Sequence, residues 1–176
     1  MRFSLKPFRT PGHPSGLTIA GSIGRRANVL TVEYEICGGL SPLSIPGRIE
    51  PPGRRDRLWE DTCLELFLGA AGSANYWEFN LSPAGHWNVY RFASYREGMR
   101  EEPAFATLPF AVRLAPAMLQ LSLNADIATI LPAGSAADFA VCAVVKTKTG
   151  EVSHWALTHP GPRPDFHRRD GFASLP

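Results

Sequence analysis

What this sequence lacks narrows its reading first. It has three cysteines, Cys37, Cys63 and Cys142, and none stands in a C-x-x-C pair. A disulfide framework and a zinc knuckle are therefore not indicated, and the thiols are expected to be small buried residues. No segment reaches the apolar length of a membrane span, and the opening "MRFSLKPFRTPGHPSG" has no apolar central run and no small-residue cleavage site. The expectation is a soluble, cytoplasmic protein without a membrane partner, unless a leader has been cut away. Excess charge of one sign is missing too, since 18 Lys+Arg against 16 Asp+Glu leave a net charge of +2. Tracking phosphates requires cations clustered on one face. Arg54, Arg55 and Arg57 form only a small local cluster that reads as a solvated loop, so no nucleic-acid partner is expected.

Helical periodicity is scarce, because no stretch sustains apolar spacing at i+3 and i+4 beyond a turn or two. There is no internal repeat and no low-complexity tract. Also missing are a G-x-S-x-G elbow, an H-E-x-x-H pair, a phosphate-binding loop, a dinucleotide fingerprint and a C-x-x-C-H haem attachment site.

Short strands are present in quantity. The 176 residues are 44% hydrophobic and include 16 Gly and 16 Pro, which suits one turn-rich domain over residues 1–176 and leaves too little chain for two cores. Alternating or β-branched runs recur between Gly/Pro breaks at 28–37, 62–69, 76–83, 87–95, 118–127, 138–147 and 151–159. Shorter ones lie at Arg2 to Lys6, Leu17 to Ala20, Phe110 to Leu114 and Phe172 to Leu175. Leu119, Leu121 and Leu123 alternate with Gln120, Ser122 and Asn124, so one face is dry and the other wet. An all-β sandwich is the class that follows. Segments 38–57 and 95–109 do not fit as strands, and loops of that length make candidate walls for a binding site. No edge strand can be picked out, so the oligomeric state stays open.

The most informative run is "LWEDTCLELFLG", residues 58–69, which reads as a buried strand with a glutamate at its centre. Strand parity sends Leu64, Leu66 and Leu68 to one face and Cys63, Glu65 and Phe67 to the other. The next strand divides likewise, with Trp77, Phe79 and Leu81 against Tyr76, Glu78 and Asn80. One register that keeps the apolar sets together sets Glu65 opposite Glu78, and shifts by two residues keep the faces but change the partners. Like charges directly opposite need a cation, a hydrogen-bond network or a raised pKa. Two readings stand side by side: both glutamates face water, or Glu65, Glu78 and Asn80 form the floor of a polar ligand site rimmed by aromatics. In the C-terminal run "SHWALTHPGPRPDFH", parity puts Trp155 and His159 on one face. His159, Asp165 and His167 match no established metal spacing, and loop capping by Asp165 is the plainer reading.

Three stretches, "LWEDTCLELFLG", "YWEFNLSPAGHWNVYRFASYREGM" and "SHWALTHPGPRPDFH", resemble the DOMON-like domains, ligand-binding modules related to the family 9 carbohydrate-binding modules. The resemblance implies a two-sheet antiparallel β-sandwich, immunoglobulin-like or jelly-roll-like, of about ten strands. It also implies a ligand, a sugar or a haem in different relatives, held against a sheet or at an edge. The first expectation is therefore non-catalytic binding of a carbohydrate or other polyhydroxylated small molecule. Trp59, Trp87 and Trp155 would stack on it, with His159 beside them, and Arg57, Glu65, Glu78 and Asn80 would supply hydrogen bonds and charge. One alternative is non-covalent haem, with Met99 or Met118 paired with His86, His154 or His159. Another is a hydrolase that uses Glu65 and Glu78 as its two carboxylates. No particular cofactor or metal is assigned.

Overall fold

The computed structural model describes residues 1–9 and 14–175. Twelve antiparallel strands form one continuous sheet curled into a half-barrel: β1 (Arg2–Pro7), β2 (Thr18–Arg26), β3 (Val29–Cys37), β4 (Cys63–Ala70), β5 (Tyr76–Leu81), β6 (Trp87–Phe92), β7 (Arg100–Glu101), β8 (Phe110–Ala115), β9 (Met118–Asp126), β10 (Ala137–Lys146), β11 (Val152–Ala156) and β12 (Ala173–Ser174). The order across the sheet is β7-β6-β5-β4-β10-β11-β1-β2-β3-β9-β8, with β12 added beside β10.

This corrects the expected two-sheet sandwich. The strand responsible is β1, whose first half pairs with β2 from Arg2↔Ser22 to Leu5↔Ile19 and whose end pairs with β11 at Lys6↔Ala156 and Pro7↔Trp155. The ladder passes through it from one half to the other, so the sheet bends around its core instead of breaking in two. Alternation in the sequence shows that β1 is a strand; its two partners lie far apart along the chain, where local pattern carries no information.

Most strands fall where alternation puts them. β2 runs well beyond Ala20, because Gly21 and Gly24 look like a break but sit inside a ladder that continues to Arg26↔Val29. Inside the curl, the dry faces of both halves meet in one cluster that includes Val32, Tyr34, Ile36, Leu64, Leu66, Leu68, Phe79, Leu121 and Leu123. Burying such side chains stabilises by about 1.5–3 kcal/mol each before entropy is counted. Across this core the Tyr34 hydroxyl donates to the main-chain oxygen of Glu65 at 2.6 Å, tying β3 to β4.

The outer faces differ. On β3 and β9 burial alternates, with Glu33 and Glu35 exposed. On β4, β5 and β6 almost every residue is buried on both faces. The cover is the C-terminal segment 158–175, which returns across this half and seats Phe166 and Phe172 on a second, smaller cluster of Phe67, Tyr76, Tyr90, Phe92, Ala140, Cys142 and Ala156. Its anchor is Arg169, whose Nη2 donates to the Ala70 carbonyl and to Asp138, both at 3.2 Å. Gly69 makes room for it, since a Cβ there would lie 1.7 Å from the Arg169 Nη1. The expectation that the Glu65 face is wet is thus corrected: Glu65 is 3% exposed and Glu78 5%.

Candidate functional site

Between the sheet and the C-terminal segment lies a cavity of about 350 Å³. Its floor is the outer face of the sheet, with Glu65 from β4, Glu78 from β5, Phe92 from β6, Val144 from β10 and His154 from β11. Trp59, in the short 3-10 turn Leu58–Glu60, closes one side, and Arg96 and Met99 from the β6–β7 loop also line it. Pro164, Asp165, Phe166 and His167 complete the wall.

Strand parity explains the floor. β10 and β4 pair at Cys142↔Glu65, and β4 and β5 at Glu65↔Asn80 and Phe67↔Glu78. The register that would set Glu65 directly opposite Glu78 is therefore off by two residues, and the glutamates are diagonal neighbours on one face. That offset gives each a different environment. The Asn80 amide donates to Glu78 Oε1 at 2.7 Å, and Asn80 Oδ1 accepts a thiol contact from Cys63 at 3.5 Å. Glu65 Oε1, by contrast, is buried with no hydrogen-bond partner among the described residues.

Burial holds both carboxyls in the protonated direction. Glu65 is pushed well above the ordinary glutamate value by desolvation and by the proximity of Glu78. Glu78 is raised to about 7 by burial, against the opposing pull of its Asn80 hydrogen bond and of Arg96. His167 Nε2 stands 3.9 Å from Glu78 Oε2. Desolvation and then Arg96 lower His167 to about 4, so at neutral pH it brings no positive charge to the pair. Its Nδ1 contacts the Tyr76 hydroxyl at 2.8 Å, and that oxygen also accepts the Arg96 main-chain N–H at 3.2 Å. Tyr76, raised to about 12 mainly by burial, keeps its proton to donate to Nδ1, which leaves the Nε2–H facing Glu78.

The wall is latched by Asp165, which accepts from Arg96 Nη2 at 2.9 Å and from the Tyr95 hydroxyl. Arg96 has a φ of 57°, a left-handed backbone uncommon for a side-chain-bearing residue. The 95–109 segment therefore does help to wall the site, through Arg96 and Met99, whereas 38–57 does not reach this cavity.

The residues singled out from sequence divide into two sets. Trp59, Glu65 and Glu78 come together in the cavity, with Asn80 beneath as the support of Glu78. Arg57 is exposed and paired with Glu60. Trp87 packs in the main core with the Arg54 guanidinium 4.5 Å over its ring. Trp155 also faces the core, its indole N–H donating to Ser153 Oγ at 3.0 Å. His159 lies past the end of β11, contacting the Lys6 carbonyl at 2.8 Å. Because Trp155 points inward, its neighbour His154 points into the cavity, as strand parity requires once Trp155 is on the core face. No local pattern places Phe92 and Phe166 at this site, or brings His167 to Glu78 rather than to the His159 and Asp165 it neighbours in sequence, because nothing local says that the chain returns over β4.

Among the described residues, no group of three or more His, Cys, Asp or Glu side chains is placed to hold a metal ion. Of the haem ligand pairs, Met99 and His154 do line one cavity. Met118 lies on β9 and His86 in the β5–β6 turn, accepting from the Gly53 N–H. The cavity does not fit a porphyrin, whose flat apolar face would lie on two buried carboxyls.

No protein-family model matches the chain, and no curated protein matches it in sequence. Among solved structures, the fold is shared with sugar-binding modules. A protein of Bacteroides uniformis, provisionally described as carbohydrate-binding, matches with a TM-score of 0.74 at 16% identity over 99% of this chain and 85% of its own. A family 9 carbohydrate-binding module of Caldicellulosiruptor kristjanssonii in complex with glucose matches with a TM-score of 0.56 at 10% identity, over 93% of this chain and 78% of that one. A structure of such a module from the same organism in complex with cellotriose gives 0.55 at 11%, over 90% and 74%. At these identities the likeness is one of fold.

Proposed function

We propose that this chain is a non-catalytic binding module whose cavity takes a carbohydrate or another polyhydroxylated small molecule. The observation that carries the reading is the cavity floor: two buried carboxyls in about 350 Å³, one with an oxygen lacking any partner, beside aromatic walls. Pockets of this size suit one or two sugar rings, with flat rings stacking on aromatics and a few polar groups fixing orientation. Trp59 and Phe166 would stack, Glu65 and Glu78 would bind hydroxyls, and Arg96 and His154 would meet the ring substituents. Trp87, Trp155, Arg57 and His159 take no part. The shared fold of modules complexed with glucose and cellotriose supports the reading, as does the resemblance to DOMON-like domains. Action in the cytoplasm belongs to the same proposal.

Hydrolysis by the same pair is the weaker reading. A retaining glycosidase needs an ionised carboxylate as its nucleophile, whereas burial pushes Glu65 well above the ordinary glutamate value and Glu78 to about 7, so below that pH both are held largely protonated.

The test is a thermal-shift screen against mono- and oligosaccharides, followed by titration calorimetry. A sugar that raises the melting temperature in a dose-dependent way should lose about tenfold or more in affinity in Glu65→Gln and Trp59→Ala proteins that remain folded. Silence from a folded protein across the panel contradicts the reading, and steady release of product from chromogenic glycosides contradicts its non-catalytic part.

A further inference from the structure

Resting on the sugar-binding reading, we infer that the ligand of this cavity carries a primary amine, as an amino sugar does, and that its ammonium seats between Glu65 and Glu78. The floor is built for positive charge, and among the described residues the floor itself carries no arginine or lysine. Glu65 is faced by Glu78 on β5, by the Cys63 and Cys142 thiols of β4 and β10, and by Tyr34 from the core side. Burial first, then the neighbouring glutamates, raises both thiols, so they stay neutral. Tyr34 is held neutral by burial as well.

The groups around Glu78 do not supply a free cation either. His167 is neutral, and His154 on β11 is lowered by burial and by His159. Arg96 lines the cavity, but its guanidinium is engaged by Asp165 at 2.9 Å. Two carboxyls, one with Oε1 unpartnered, therefore share a pocket whose cationic neighbours are neutral or occupied.

A neutral hexose would satisfy hydrogen bonds but leave the carboxyls to relieve each other by holding protons. An ammonium brings three donors and the missing charge together. The aromatic rings, Trp59 and Phe166 in the walls and Phe92 in the floor, add the ring-face attraction that a cation gains when desolvated. A hard divalent cation is a poorer match, since calcium takes six to eight oxygens, many more than this floor offers. Binding of the ammonium is coupled to ionisation: a carboxyl proton leaves for the buffer as the N–H donors replace it, with no other bond made or broken.

The experiment is titration calorimetry at pH 6.5 with glucose, N-acetylglucosamine and glucosamine, each also as its β-1,4-linked disaccharide, in two buffers of different ionisation enthalpy. The expected result is that the free-amine sugars bind at least tenfold more tightly than the other two. About one proton should be released per ligand bound, and both effects should vanish in Glu65→Gln and Glu78→Gln proteins shown to be folded by circular dichroism. Equal binding of glucose and glucosamine without proton release overturns the inference and leaves the sugar reading standing. No binding of any of the six sugars by folded wild-type protein overturns both.

Discussion

β3 and β4 carry the same kind of sequence and live in opposite surroundings. Glu33 and Glu35 alternate with Val32, Tyr34 and Ile36 on β3, much as Glu65 alternates with Leu64 and Leu66 on β4. Yet the β3 glutamates are exposed, where Ser22 and Gln120 donate to them, while Glu65 is sealed beneath the returning C-terminal segment. Alternation identifies which way a side chain points and says nothing of what lies above it. A glutamate under cover and short of a partner has to be explained by the chemistry of the space it faces.

The comparison can be broken first at the face both strands share. Leu66→Ala empties a fully buried site in the common core and should cost about 2–5 kcal/mol in urea unfolding. A much smaller loss would mean that the two halves are not packed on one core.

Next comes the pH dependence that only the covered half should show. Glu78 binds its proton more tightly folded than unfolded, so its contribution to stability is complete below about pH 4.5 and is lost as pH rises through about 7. His167 works in the other direction, with stability lost as pH falls from 6.5 toward about 4. Glu78→Gln should flatten the decline above pH 5 and leave the protein more stable than wild type at pH 8, on the order of 1–3 kcal/mol. The check is a set of melting curves from pH 4 to 9; an unchanged slope in the variant contradicts the assignment.

A smaller effect tests the cover itself. Gly69→Ala would push Arg169 off Asp138 and the Ala70 carbonyl, costing about 1–2 kcal/mol and speeding proteolysis within 158–175 relative to the rest of the chain. Smallest of all, Glu35→Gln on the open face should stay within about 0.5 kcal/mol of wild type.

How far this site could be read in advance follows from the same contrast. The faces of β4 and β5 are legible, because parity depends only on neighbours in sequence, and Glu65, Glu78 and Asn80 do share one. The register was open by two residues, since both choices bury the same leucines, and the structure takes the one that puts Asn80 opposite Glu65. Trp87 and Trp155 have polar neighbours and look like rim residues, yet their rings fill the core once Arg54 and Ser153 answer them. The curl through β1 and the return of 158–175 over the sheet depend on contacts between distant segments, and no local pattern encodes them.

Whether the cavity floor is sealed from water is decided by a carbon-13 NMR titration of the glutamate side-chain carboxyls, assigned through Glu65→Gln and Glu78→Gln. Glu78 should titrate near 7 and Glu65 well above the ordinary value of 4.5, with the two transitions interdependent. If both titrate at 4.5 in the folded protein, the floor is open to water and the cavity argument fails.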